Sequence, residues 1–512
     1  MGFGQNFYRY LVIQVFLFVC LCLLMASLSR AAEWRISPQI GITETWHDNI
    51  RLDDKNKDGE LISQIQPAIN ISATGRRLTL KSSYQLSYID YYSARYRDRF
   101  SSQAVFAGDL EAIKRHLFIT GNVAIGQQAI DPGNIEGFDP LAPTSNRTET
   151  RTYQFIPRLE NRFGPYANSK LTYRYNHIDY ETGRLDYSYS EQWRYQLSSG
   201  KWFNRLKWKG DVSKQTSREG LTDNYRALAR IDYKLINDFF LYGIAVSERN
   251  NYLRITNTKG SYFYNIEAGL GWEPSRKIKI EGGGGAVLRS ERLSYSDLEY
   301  EQWSWRAEIQ LRPTTRTNFE LGKEQAIYGD KIFFHFDHRM KKVTLSAEYG
   351  EVLSTPQQQR FQSLNSTTRA SGALGNGGEL SQQILNDALL IKRFEATIKW
   401  RLKKLTFNGA SFYEKGEYQT LAQSHKRLGL NGGFNLPLGK RNVLSTQAST
   451  EIYYLFNPAR VDRFYNLKVS FNRKFSRKLR ASLAMQSQKR STEGDFRSYT
   501  ANQLIAQVNW LF

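Results

Sequence analysis

The 512-residue chain has six histidines, and their spacing limits what chemistry they could do. His335 and His338 are three apart in a segment that alternates like a strand. They therefore point to opposite faces and cannot share a metal ion. His177 precedes Asp179 by two, which puts both on one face beside a loop. A Ser-His-Asp hydrolase site could be built there; polar residues at a membrane rim are the simpler account. The glycine run 282–285 is followed neither by Lys-Ser/Thr nor by a helix, and a phosphate-binding loop needs both. In a strand it marks a bend or bulge. Both cysteines, Cys20 and Cys22, lie in the apolar leader. The residues after it therefore offer no disulfide, thiolate metal site or cysteine nucleophile. Phe18 and Val19 stand where a lipidation site would carry small residues. No catalytic residue, metal or cofactor is expected, and the chain does not read as an enzyme.

Charge is more informative. Of 71 Lys and Arg, only Arg9 and Arg30 fall in the leader, against 49 acids in all, so the remainder carries about +20. Many cations sit in short turns, such as Arg76-Arg77, Lys341-Lys342, Lys403-Lys404 and Lys440-Arg441. Others alternate with apolar residues: Arg174, Arg194, Lys207, Lys209, Arg226, Arg230, Lys399, Arg401 and Lys468. If these nine line a water-filled lumen, their field favours anionic solutes. Asp211, Asp232, Glu267, Glu308 and Glu395 share that face and pair part of the charge.

The elements that would position these residues repeat at period two in segments of roughly ten residues. Leu206, Trp208, Gly210 and Val212 oppose Arg205, Lys207, Lys209 and Asp211. Phe394, Ala396, Ile398, Trp400 and Leu402 oppose Arg393, Glu395, Thr397, Lys399 and Arg401. Trp303, Trp305, Ala307, Ile309 and Leu311 oppose Ser304, Arg306, Glu308 and Gln310. Tyr465, Leu467, Val469 and Phe471 oppose Asn466, Lys468, Ser470 and Asn472. A helix would space its apolar residues at three and four. A soluble sandwich seldom lines its polar face so heavily with Lys and Arg. Mean hydropathy is low, −0.55, although aromatics reach 14%. Disordered chains lack aromatics, whereas a barrel wall with one face to lipid and one to water has both properties.

The expected fold is all-β: a transmembrane antiparallel up-and-down barrel of about 24 strands (22–26) over 32–512. A cleaved signal peptide over 1–31 precedes it, with a charged start, an apolar run and small residues before Ala31. Export to a bacterial outer membrane follows. Short turns at Thr74-Gly75-Arg76, Gly164-Pro165, Pro274-Ser275-Arg276, Pro313-Thr314, Met340-Lys341, Lys403-Lys404, Gly439-Lys440 and Ser476-Arg477 alternate with longer polar loops. Those at 131–148 and 354–387 are expected outside the cell, the second either external or folded into the lumen. Pro38 and Pro67 interrupt the first two strands, which are expected to be short, bulged or confined to a rim. Leu504, Ala506, Val508, Trp510 and Phe512 share one face. This pattern resembles the signal read by the barrel assembly machinery.

The segment from Trp34 to Ile50 contains Pro38, Ile40, Glu44-Thr45 and Asp48-Asn49, and a second strand begins at Pro67-Ala68-Ile69. This opening, over 32–72, resembles the outer-membrane β-barrel family associated with the PEP-CTERM sorting system and exopolysaccharide gene clusters. The resemblance implies a barrel encoded beside polysaccharide synthesis and export genes, with no catalytic residues to carry over. It implies a channel or scaffold in export or surface assembly of exopolysaccharide. A general or solute-specific porin with anion preference is the alternative, and an enzyme acting on lipid or glycan is a third. Expected partners are outer-membrane lipids and lipopolysaccharide, the assembly machinery, anionic polysaccharide and export-complex proteins, but not nucleic acid.

Overall fold

The computed structural model describes residues 32–129, 139–143, 147–181, 187–217, 223–236, 238–251, 261–293, 296–326, 328–354, 389–418, 424–456, 459–493 and 498–512. The expected leader, the 355–387 part of the second loop and most of 131–148 lie outside them.

Among the described residues twenty-four strands make one sheet. The first eight are β1 (Ala32–His47), β2 (Glu60–Gly75), β3 (Leu78–Tyr91), β4 (Arg99–Ile113), β5 (Leu117–Ala129), β6 (Arg147–Phe163), β7 (Ala167–Tyr180) and β8 (Ser188–Ser199). Then come β9 (Leu206–Ser217), β10 (Asp223–Lys234), β11 (Phe239–Asn251), β12 (Ser261–Ser275), β13 (Ile278–Leu293), β14 (Ser296–Thr314), β15 (Thr317–Ala326) and β16 (Gly329–Arg339). The last are β17 (Val343–Ser354), β18 (Leu389–Leu402), β19 (Leu405–Tyr418), β20 (Ser424–Leu438), β21 (Asn442–Phe456), β22 (Ala459–Lys474), β23 (Leu479–Thr492) and β24 (Tyr499–Leu511). Each pairs antiparallel with its sequence neighbours. β24 then pairs with β1 from His47 opposite Gln503 to Gln39 opposite Leu511, which closes the sheet. Closure leaves no edge, the condition for strands to cross lipid with every backbone group satisfied.

The two faces of the wall differ as alternation demands. Large apolar side chains stand uncovered on one face, including Trp303 (72% exposed), Ile266 (69%) and Leu430 (59%). Their strand neighbours Ser304, Glu267 and Asn431 point the other way, into the barrel. Apolar surface repeated around a closed wall in this way is a lipid-facing band.

All eight turns expected from the sequence fall at one end, with both ends of the strand series. That end is periplasmic by the rule that short turns face the periplasm. Gly439 sits at φ +81 in the β20–β21 turn, a conformation that disfavours a Cβ. The opposite end is less uniform than expected, since only two residues separate β13 from β14, β15 from β16 and β21 from β22.

The first two strands are neither short nor confined to a rim: each runs 16 residues. Pro38 is tolerated because it lies just beyond the last β1–β24 pair, where its carbonyl accepts the Phe512 amide at 3.0 Å. Only one ladder bond is lost there. Pro67 stays in register with Ile40 on β1, while the ladder to β3 skips Gln66 and Pro67.

Candidate functional site

The inner wall carries the charge. Strand register puts Arg174, Arg194, Lys207, Lys209, Arg226, Arg230, Lys399, Arg401 and Lys468 on the face opposite the apolar band. Arg194 is joined to Asp211, Nη2 to Oδ2 at 2.5 Å. Arg230 meets Asp232 at 2.8 Å and Glu281 at 2.6 Å, and Lys279 also reaches Glu281. Lys207, Lys209, Arg226, Lys399, Arg401 and Lys468 make no ion pair among the described residues. Five of these six, all but Arg226, lie in the half of the wall nearer the short turns.

Further ion-pair groups join inward residues named from the sequence, Arg306, Glu308 and Arg393, to partners that it did not single out. Arg306 bridges Glu308 (3.1 Å) and Glu324 (2.8 Å), and Lys331 completes the group on Glu324. Beyond β17, Arg393 and Arg427 share Glu414 at 3.2 and 3.3 Å, while Arg460 and Arg490 share Asp462 at 3.1 and 2.9 Å. Aromatic rings lie against these cations: Arg427 is 5.4 Å from the Phe412 centroid and 5.0 Å from that of Tyr453. Arg490 is 5.3 Å from the Phe464 centroid. Parity along each strand could also have found Glu324, Lys331, Glu414, Arg427, Arg460, Asp462 and Arg490, because all continue the inward set.

The rings lie flat because glycine stands directly opposite them. Phe240 faces Gly271, Phe333 faces Gly322 and Phe412 faces Gly429 in register. A Cβ at any of the three glycines would overlap the ring. At these three places the inner wall presents an aromatic face lying over a glycine. The run 282–285, expected to mark a bend or bulge, is instead paired with β12 and β14 without a register shift, and a Cβ at Gly283 would overlap the Tyr242 hydroxyl.

At the external end the seam between β24, β1, β2 and β3 is covered from inside. Leu141 packs with Ile50, Ile62, Ile89 and Tyr91, and Ala142 packs with Leu52, Tyr499 and Ala501. Asp139 accepts from His47 Nε2 at 2.8 Å and from Gln503 Nε2 at 2.5 Å. The Asn49 amide donates to His47 Nδ1 at 3.0 Å, so the ring proton sits on Nε2. Asn49 also bonds Asp53 and the Thr500 carbonyl, and Leu52 is held at φ 54 with 1% exposure. The His47-Asp48-Asn49-Ile50 part of the opening motif therefore locks a loop onto the closing seam. In the same loop Asp58 is held below the usual carboxylate range, chiefly by the Tyr96 hydroxyl at 2.8 Å, with Arg95 and Arg51 beside it.

The histidines do not converge. His177 is on the outer face with Asp179, flanked by Tyr153, Tyr175 and Tyr187 at 5.8–6.4 Å between centroids. His335 faces inward, bonded to Asp337 at 2.6 Å, and His338 faces outward, bonded to Thr317 at 2.8 Å. Among the described residues no cluster of His, Cys, Asp and Glu could hold a metal ion.

A closed wall, apolar outside and charged inside, decides the class. This is a transmembrane β-barrel of the bacterial outer membrane. No family model matches the chain, and no curated protein matches it. Among solved structures it is similar to the ferric-catecholate import receptor Fiu of E. coli K12, at 7% identity, 93% of this chain, 81% of that one and a TM-score of 0.42. The siderophore receptor PirA of Acinetobacter baumannii matches at 8% identity over 93% of this chain and 80% of its own, with a TM-score of 0.38. The outer membrane protein OmpT of Vibrio cholerae matches at 5% identity over 94% and 98%, with a TM-score of 0.29. At such identities none of their ligands transfers to this barrel.

Proposed function

We propose that the barrel is an anion-preferring passage of the outer membrane that serves export or surface assembly of an acidic exopolysaccharide. The observation that carries the reading is the set of inner-wall cations without carboxylate partners, Lys207, Lys209, Lys399, Arg401 and Lys468, gathered toward the periplasmic half. Unpaired cations in a low-dielectric wall attract anions entering from that side. Farther out, paired arginines backed by flat aromatic rings give a surface on which a sugar chain can slide without a deep binding minimum. The resemblance of the opening motif to the barrel family of exopolysaccharide clusters supports the choice of cargo. The proposal assigns no catalytic step.

The test is the reversal potential across a planar bilayer under a salt gradient. Wild type should prefer anions, and Lys207→Gln/Lys209→Gln/Lys399→Gln/Arg401→Gln should lose that preference while still conducting. Unchanged selectivity would overturn the charge assignment. Blockade of the wild-type current by an acidic polysaccharide, but not by a neutral one of equal length, separates a glycan passage from a porin for small anions.

A further inference from the structure

The two ends of the barrel carry opposite charge. The eleven connections at the periplasmic end, from β2–β3 to β22–β23, hold 17 Lys and Arg and one acid, Asp238. The twelve connections at the external end hold 12 Lys and Arg against 15 acids. Flanking residues do not redress the difference. The last three residues of all strands at the periplasmic end add ten cations and five acids, and those at the external end eight and ten. All 17 turn cations are exposed, and none makes an ion pair among the described residues. A rim that is merely solvated mixes its signs, as the external end does.

The excess runs around most of the mouth. Six consecutive connections, β12–β13 to β22–β23, each carry a cation and no acid, and β2–β3 and β4–β5 continue the arc across the closing seam. Neighbouring connections are two strands apart, about 10 Å, close to the screening length in about 0.1 M salt. Their fields therefore add over the opening.

The charge also turns toward the opening and away from lipid. Of the ten cations at periplasmic strand ends, all but Arg473 share the parity of the lumenal face. Beside the β18–β19 turn the outward residues Trp400, Leu402 and Phe407 are uncharged, while inward Arg401 and Lys399 continue from Lys403 into the lumen. Just inside the mouth, Arg162, Lys170 and Lys209 line a recess of about 330 Å³ with Asn168, Gln196 and Ser198. The acid in that recess, Glu160, is held by Arg158 at 2.9 Å. Amides and a hydroxyl interleaved with cations match a polymer that bears hydroxyls and carboxylates on its units, as a uronic-acid chain does.

We propose that this basic crown is the capture surface for the leading end of an acidic polysaccharide arriving from the periplasm. The inference rests on the acidic-glycan reading above and adds the side of entry and the direction. The chain is gathered where the wall is positive and leaves past an external end that does not hold it.

The experiment uses the full-length barrel in nanodiscs of zwitterionic lipid and a fluorescein-labelled polygalacturonate oligomer, with association read by stopped-flow anisotropy. Wild type should capture the oligomer rapidly at low salt and lose most of that rate at high salt. Lys341→Gln/Lys342→Gln/Lys403→Gln/Lys404→Gln/Lys440→Gln/Arg441→Gln, in three adjacent turns, should slow association by about tenfold and flatten the salt dependence. Lys55→Gln/Lys57→Gln in an external loop should match wild type, and the methyl-esterified oligomer should not be captured. Heat-modifiable gel migration checks folding. If the six-site variant misfolds, Arg76→Gln/Arg77→Gln should show a smaller slowing in the same direction. The two readings fail separately. Capture by a barrel without anion-selective conductance keeps the crown and overturns the passage, whereas anion preference with equal rates for wild type and the six-site variant overturns the crown alone. Equal capture of the methyl-esterified oligomer also overturns it. So does loss of capture on adding anionic phospholipid to the nanodisc, which would assign the crown to the inner leaflet.

Discussion

His47 and Asp139, 92 positions apart in the chain, are joined at 2.8 Å with both side chains cut off from water. One ends the first strand and the other belongs to the third external connection. Their bond, with that of Gln503 from the last strand, ties three parts of the chain at the place where the barrel closes. A buried carboxylate serving two donors matters mainly through what its loss would leave unpaired.

Asp139→Ala should therefore strip His47 Nε2 and Gln503 Nε2 of their acceptor at a cost of about 1–3 kcal/mol, felt locally. The first external loop, with Arg51, Lys55 and Lys57, should open more often. Trypsin cleavage at those sites in the folded barrel should speed up by about fivefold or more. An unchanged rate would mean that Ile50 and Leu52 hold the loop by packing alone.

How much of this was legible in the sequence depended on the range of the interaction. Strand parity is local, so Leu206 to Val212 or Arg393 to Leu402 reveal their faces from a few residues. Strand number, closure and the inward set follow from that repetition. The two prolines misled because the cost of Pro38 depends on which neighbour its nitrogen faces, and that neighbour, Phe512, is at the far end of the chain. The His47–Asp139 contact and the glycine–ring pairs depend on loop return or cross-strand register. Composition and spacing do not encode either. The Asp48-Asn49 pair stood out in the sequence as part of the opening motif, but the task of its neighbourhood, locking a loop onto the seam, became readable only with the partners present.

The glycines opposite inner aromatic rings offer a cleaner test of packing. Gly271→Val should collide with the Phe240 ring, which lies on it in register, and destabilise the barrel by about 1–3 kcal/mol. Adding Phe240→Ala should restore much of the loss, since the clash is with that side chain. Urea unfolding in detergent micelles, followed by tryptophan fluorescence, reads the double-mutant cycle. If the two losses simply add, the ring and the glycine are independent and the flat-lying arrangement is wrong.

Leu430 and Asn431 test the two faces at mid-strand, where the assignment matters most. They are adjacent on β20, and Leu430 is 59% exposed on the apolar side. Asn431 is also exposed, but its register partners Ala410 and Ser449 place it on the lumenal face. A solvent-exposure number alone cannot tell lipid from water; a charge can. Leu430→Lys should cost about 2–4 kcal/mol, the range for lysine near a bilayer midplane. Asn431→Lys should change stability by no more than about 0.5 kcal/mol, as a solvated surface substitution does. Both can be measured by reversible urea unfolding of the barrel in lipid vesicles. In water-soluble detergent-free aggregates, or in a wall whose outer face met water, the two lysines would cost the same. Equal and small costs would remove the membrane from the account, while a larger cost at Asn431 would mean that the faces had been exchanged. A large difference in the expected direction would also validate the selectivity variants, because the lumenal lysines share the parity of Asn431 in this wall.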